Sequence, residues 1–207
     1  MRKTEESIDD KRTIVFYSDL LAKHGVDPRS LNWGGQQSQE LRFSILTQIG
    51  LMSGDSLLDV GCGLGDYLCW LNRHGVDVDY CGIDLTPNMV KKAQERLPGI
   101  NFEVGNLLKC DHSLSDFVVA SGIFYLRNNE PEAYLQTMVT RMYALCRKGV
   151  AFNSLSVWAP QQDEREYYAD PLRVIAFCRT LTPWVVLRHD YHIGDFTVYL
   201  HRGAIQQ

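Results

Sequence analysis

A chain of 207 residues, 45% hydrophobic and 22% charged, is long enough to bury one core of its own and short for two. Its net charge is −4 and its 21 basic residues are scattered, so it lacks the electrostatic footprint of a DNA or RNA binder. No apolar run approaches the roughly eighteen residues a membrane span needs, and the expected location is cytoplasmic.

In chain order, residues 8–24 and 36–50 carry helical periodicity and form a helical N-terminal extension over residues 1–50. Beyond it, extended and helical periods alternate as a parallel sheet with crossover helices requires. Strands are expected to begin near Ser56, Tyr80, Ile100, Phe117, Val150 and Trp184. Pro131 opens a helix expected to run to Lys148, and Pro171 opens another to Leu181, stopped by Pro183. The last extended runs, 184–191 and 196–202, are joined by His192-Ile193-Gly194-Asp195, too short for a parallel return, so they pair antiparallel. The six cysteines show no Cys-x-x-Cys pair and mostly fall in apolar elements, so they read as buried thiols. His189-x-x-His192 is a poor metal pair, because residues three apart in a strand point to opposite faces.

Residues 57–65, Leu-Leu-Asp-Val-Gly-Cys-Gly-Leu-Gly, take an apolar strand directly into three glycines. Such a turn lets bare backbone approach a nucleotide-like ligand at a helix N-terminus. A dinucleotide fingerprint needs glycine at the sixth position, where this chain has Asp66, and a carboxylate there repels a pyrophosphate. A nucleotide-dependent oxidoreductase is disfavoured on that ground. Asp84 ends the next strand about twenty residues on, where doubly wound folds grip the hydroxyls of a ribose.

Strand, Gly-x-Gly-x-Gly, helix, strand and acid together resemble the class I S-adenosylmethionine-dependent methyltransferases. Asp59 to Gly65 is similar to that family's first motif, Gly82-Ile83-Asp84-Leu85 to its second, and Asp116 to Phe124 to its fourth. Val104 to Leu108 stands where the family commonly has an Asp beside the adenine, here Asn106. The resemblance implies a doubly wound α/β fold: a mostly parallel seven-stranded sheet with a C-terminal antiparallel hairpin strand, over residues 51–207. It also implies S-adenosylmethionine as cofactor and S-adenosylhomocysteine as product.

Ligands in open α/β sheets bind beyond the carboxyl ends of the strands, which selects the residues just after each strand. The expected cofactor contacts are Asp59, Gly61, Cys62, Gly63, Asp84, Leu85, Asn106, Leu107, Ser121 and Gly122. Asp59 either orders the N–H groups of the turn or reaches the cofactor's ammonium. Arg42, in the extension that methyltransferases of this kind use as a lid, is either a forked partner for the cofactor carboxylate or a surface arginine. Acceptor contacts are sought in Trp33, Phe124, Tyr125, Tyr168 and Asp190, with core packing an equal reading for Phe124 or Tyr125. His192, His189 and Tyr17 are candidate general bases. The Asn/Asp-Pro-Pro-Tyr/Phe signature of enzymes that methylate planar nitrogens is missing at Ser121 to Tyr125, which favours a small-molecule acceptor. The alternatives are methylation of tRNA or protein, or a non-catalytic S-adenosylmethionine-binding regulator.

Overall fold

The computed structural model describes residues 7–126 and 129–204. α1 (Ile8–His24) opens on a capping box: the Asp10 N–H donates to Ser7 Oγ at 3.1 Å and the Ser7 N–H to Asp10 Oδ2 at 3.2 Å. A short 3-10 turn (Pro28–Leu31) and α2 (Gln36–Thr47) follow, and Asn32 between them is left-handed. α2 ends three residues before the expected residue 50, because Gly50 adopts φ 107 and the chain turns into the sheet.

The sheet is built from β1 (Ser56–Val60), β2 (Asp79–Asp84), β3 (Asn101–Val104), β4 (Ser115–Ala120), β5 (Cys146–Leu155), β6 (Val185–Arg188) and β7 (Asp195–His201). Its order is β3-β2-β1-β4-β5-β7-β6. β1 pairs in parallel with β2 and β4, β2 with β3, and β4 with β5, whereas β7 runs antiparallel to both β5 and β6. This is the expected doubly wound, mostly parallel architecture with one reversed strand.

Both faces are covered, so the central strands read as continuous apolar runs and their side chains alternate between two cores. Leu58, Val60, Val118, Ala120, Val150 and Phe152 face α5 (Pro131–Leu145) and α6 (Pro171–Leu181) through Leu135, Met138, Val139, Met142, Val174 and Cys178. Leu57, Phe117, Val119 and Ala151 face α2, α3 (Asp66–Arg73) and α4 (Pro87–Arg96) through Phe43, Leu46, Trp70, Leu71, Val90 and Ala93. α5 stops at Leu145, not Lys148, because Cys146 already pairs with Ser115 and Arg147 and Lys148 belong to β5. Among the described residues no helix is long and apolar enough to cross a membrane.

Candidate active site

β1, β2 and β4 end side by side, and the loops leaving them wall a cavity of about 750 Å³. After β1 the N–H groups of Gly61 and Cys62 both donate to the Ile83 carbonyl, at 2.8 and 3.1 Å, which bends the turn over β2. Gly61, Gly63 and Gly65 lie at φ 74, 54 and 75. A Cβ at Gly61 would stand 2.3 Å from Ile123 Cγ2, so the turn requires glycine for space as well as for conformation.

Asp84 ends β2 with its carboxylate on the cavity wall. It accepts the Gly63 N–H at 2.9 Å and the Thr86 N–H at 2.8 Å, ordering the glycine turn and the start of α4 together. Burial pushes its pKa up against these two bonds. A carboxylate has about four acceptor sites, so two remain for a ligand's hydroxyls.

β3 leads into Gly105, Asn106, Leu107 and Leu108, which form a second wall. Asn106 Oδ1 accepts the Leu108 N–H at 2.9 Å and its Nδ2 donates to Asp10 Oδ1 at 3.1 Å. The third wall is Ser121, Gly122 and Ile123 after β4. Asn153, buried at the end of β5, clamps this wall: its Oδ1 accepts the Gly122 N–H at 2.8 Å and its Nδ2 donates to Ser121 Oγ at 3.0 Å. Gly122 has φ 73, and a Cβ there would lie 2.9 Å from the Trp33 ring.

The roof is α1 with the segment after it: Asp10, Thr13, Phe16, Tyr17, Leu31 and Trp33. Asp10 also accepts from Lys109 Nζ at 2.6 Å. Burial works to raise the Asp10 carboxyl, but the bonds from Lys109, the Ser7 backbone and Asn106 outweigh it and hold the group below its usual range. The Tyr17 hydroxyl donates to the Tyr125 hydroxyl at 3.2 Å. Burial pushes the Tyr17 phenol far above its ordinary value and that of Tyr125 up to about 12, so both stay protonated near neutrality.

A methyltransferase-domain family model matches residues 57–149, from β1 into β5. A Mycobacterium tuberculosis protein, named as a methyltransferase with no acceptor stated, is 34% identical over 157 residues, covering 72% of this chain and 94% of that protein. The chain belongs to the class I S-adenosylmethionine-dependent methyltransferases. The fold agrees. The magnesium protoporphyrin IX methyltransferase of Synechocystis, solved with bound S-adenosylhomocysteine, has a TM-score of 0.65 at 14% identity, covering 94% of this chain and 100% of that one. The CcbJ methyltransferase of Streptomyces caelestis has a TM-score of 0.64 at 14% identity, covering 91% and 98%.

In this methyltransferase the cavity is lined by Gly61, Asp84, Leu85, Asn106, Leu107, Ser121 and Gly122, with Tyr17 and Trp33 above them. Gly63 stands just behind, bonded to Asp84. Other residues read from the sequence as site residues lie elsewhere. Arg42 is neither a cofactor clamp nor a surface arginine. Its guanidinium is buried against Asp195, donates to the Ser38 carbonyl at 2.6 Å and lies 5.2 Å from the Trp33 ring centroid, so it reaches the cavity only through Trp33. Asp59 points to the opposite face, where Tyr80 donates to it at 2.6 Å, and the loop-ordering role expected of it belongs to Asp84. Cys62 is buried beneath the turn, its sulfur 2.8 Å from where a Gly82 Cβ would stand.

Phe124 is core, packed edge-on against Phe152 at 5.5 Å. Tyr125 sits behind Tyr17 and touches the site through that hydroxyl. Tyr168 donates to Glu166 at 2.6 Å beside a separate small hollow of about 150 Å³. His189, Asp190 and His192 follow β6, which β7 separates from β5 by two strand spacings of roughly 4.8 Å each. There His189 Nε2 meets Ser156 Oγ at 2.9 Å, Asp190 pairs with Arg188 at 2.8 Å, and His192 Nδ1 accepts the Gly194 N–H at 3.1 Å.

Sequence reasoning missed the cavity contributions of Asp10, Thr13, Phe16 and Met89 and the clamp from Asn153. Asn153 had a signal: it is a lone amide ending the apolar run Val150-Ala151-Phe152. The α1 residues had none, since only the docking of that helix brings them to the cavity.

Proposed function

We propose that this methyltransferase transfers the methyl group to a small-molecule acceptor held in the same cavity as its cofactor. The roof carries the reading. α1 lies over the cavity and Asp10 ties it to Asn106 and Lys109, which shuts out a broad macromolecular surface. A volume of about 750 Å³ is generous within the range of roughly 300–1,000 Å³ for small-molecule sites, leaving room for an acceptor beside the cofactor.

The wall chemistry fits S-adenosylmethionine. Asp84 has acceptor capacity left for the ribose hydroxyls, Ile83, Met89 and Leu107 offer apolar flanks for the adenine, and the Gly61 and Gly122 backbones bring a bare wall to the amino-acid half. Asn106 acts here mainly as a shaped wall, because its amide already bonds Asp10 and Leu108. When bound, the cofactor supplies a methyl group already activated by its sulfonium. The chain's task is then alignment and exclusion of water, which Phe16, Tyr17, Leu31 and Trp33 serve from above.

Among the described residues no histidine lines the cavity, and Tyr17 holds its proton. We infer that the acceptor arrives as a nucleophile that needs no deprotonation, such as a carboxylate or a thiolate, and that Tyr17, whose one hydroxyl proton goes to Tyr125, packs against it. We place the reaction in the cytoplasm, where six free cysteines stay reduced.

The test is to incubate the enzyme and a cell extract with methyl-labelled cofactor and to separate small molecules, RNA and protein. Label in the small-molecule fraction is expected. Label chiefly in RNA or protein, or no S-adenosylhomocysteine from any extract, overturns the proposal.

A further inference from the structure

On the outer flank of the sheet, away from the cavity, the Cys81 thiol of β2, the Glu103 carboxylate of edge strand β3 and the His112 imidazole of the β3–β4 loop converge. One ligand atom from each lies within 4.8 Å of the other two. His112 has a side chain only 7% exposed, and its Nε2 has no hydrogen-bond partner. That nitrogen stands 3.7 Å from Glu103 Oε2, too far to bond and near enough to share a third body. Leaving a buried polar atom unsatisfied is costly, and packing alone does not explain it.

We infer that Cys81, Glu103 and His112 form a binding site for a borderline-soft divalent cation of the zinc class. A thiolate, an imidazole and a carboxylate form a donor set that zinc favours, and calcium and magnesium prefer oxygen alone. Zinc ligands at roughly 2.0–2.3 Å from the metal sit about 3.3–3.8 Å from one another, so the trio closes by about an ångström. On binding, the Cys81 S–H bond breaks, sulfur joins the metal and the proton leaves to solvent. Two anionic ligands then match the charge of the dication, and water completes a tetrahedron. Asn101 Nδ2, which donates to Cys81 Sγ at 3.3 Å and to Glu103 Oε1 at 3.1 Å, orients both groups from the same strand.

The site joins three pieces of this edge: β2, β3 and the loop that follows β3. β3 is four residues long and, among the described residues, unpaired on its outer side, and residues 105–114 leave it carrying Asn106 and Leu107 to the cavity before reaching His112. A cation there pins that loop to β2. Sequence spacing gave no hint of it, because the ligands come from two strands and a loop and form no short motif.

Cobalt(II) titration of the metal-free protein, followed by absorption, tests this directly, with zinc calorimetry alongside. One cobalt per chain with a thiolate-to-cobalt charge-transfer band is expected, together with a rise in Tm on adding zinc. Cys81→Ser is expected to abolish the band, and His112→Ala to weaken zinc binding about tenfold or more. Cys110→Ser is expected to leave both unchanged. An absent band, or a band unaltered by Cys81→Ser and affinity unaltered by His112→Ala, overturns the site. None of these readouts depends on methyl transfer, so the site stands or falls apart from the proposed reaction.

Discussion

The carboxyl edge of this sheet has two regions of opposite character. At β1, β2 and β4 the chain leaves neighbouring strands toward opposite faces, and a crevice opens where the strand order reverses. At β5, β7 and β6 the antiparallel hairpin folds back on itself, and its polar residues consume one another: Arg188 with Asp190 and Gln48, His189 with Ser156, and Arg42 with Asp195. Both regions carry reactive side chains just after a strand. The cavity of about 750 Å³ lies at the first. Position after a strand is thus necessary for a site, and the direction of the following crossover decides.

The strongest blow to this contrast is Arg42→Ala. Removing one partner of a buried ion pair costs about 3–5 kcal/mol, so Tm should fall sharply while the folded fraction keeps its affinity for S-adenosylhomocysteine within about threefold. Lost affinity at unchanged Tm would move Arg42 into the crevice and erase the distinction. Asp59 sharpens it from below the sheet. Burial lifts this carboxyl to about 7, so the folded chain keeps a proton that the unfolded chain releases near pH 4. Its contribution to stability is complete below about pH 4 and is lost as pH rises to about 7, by an amount on the order of 2–4 kcal/mol. Asp59→Asn should flatten that slope in urea unfolding curves and leave the mutant more stable than the parent at pH 8; an unchanged slope refutes the assignment.

Within the crevice, Asp84→Ala removes both the proposed ribose acceptor and the brace for Gly63 and Thr86. Hydrogen bonds to a charged group are worth about 1.5–3 kcal/mol, so calorimetry should show affinity for S-adenosylhomocysteine weakened about 10- to 100-fold. Unchanged affinity would place the cofactor elsewhere. Tyr17→Phe is milder. Losing one hydroxyl bond to Tyr125 should cost about 1 kcal/mol and slow turnover up to about fivefold without displacing the pH–rate profile. A displaced profile would restore Tyr17 as a base.

The parallel half was legible because local chemistry specifies it: positive φ needs Gly61, Gly63 and Gly65, and an acid ending the second strand can only be Asp84. The antiparallel hairpin was legible from its short connection. Its place in the sheet was not. That β7 inserts between β5 and β6 is a long-range pairing with no local signature, and it carries His189 and His192 away from the cavity. Arg42 failed for the same reason, its partner Asp195 being 153 residues away. The face taken by Asp59 was open to strand alternation, since Leu58 and Val60 point to the α5 side and a residue between them must point to the other.

The smallest expected effect tests the contrast most cleanly. His189→Ala and His192→Ala remove the side chains that by type alone are the natural bases of this chain. His189 lies against Trp158 and parallel to Phe196 at 6.3 Å, so its loss opens a gap in the hairpin and should lower Tm by a few degrees, for a loss of about 1 kcal/mol. His192 is half exposed beside Asp195 and should cost less. Neither should change kcat/KM by more than about twofold once corrected for folded fraction, because a base works only within hydrogen-bond reach of the proton it removes. A loss of a hundredfold or more in either variant, with a normal melting curve, would mean that the acceptor binds at the β6 end and that the crevice at β1, β2 and β4 holds the cofactor alone.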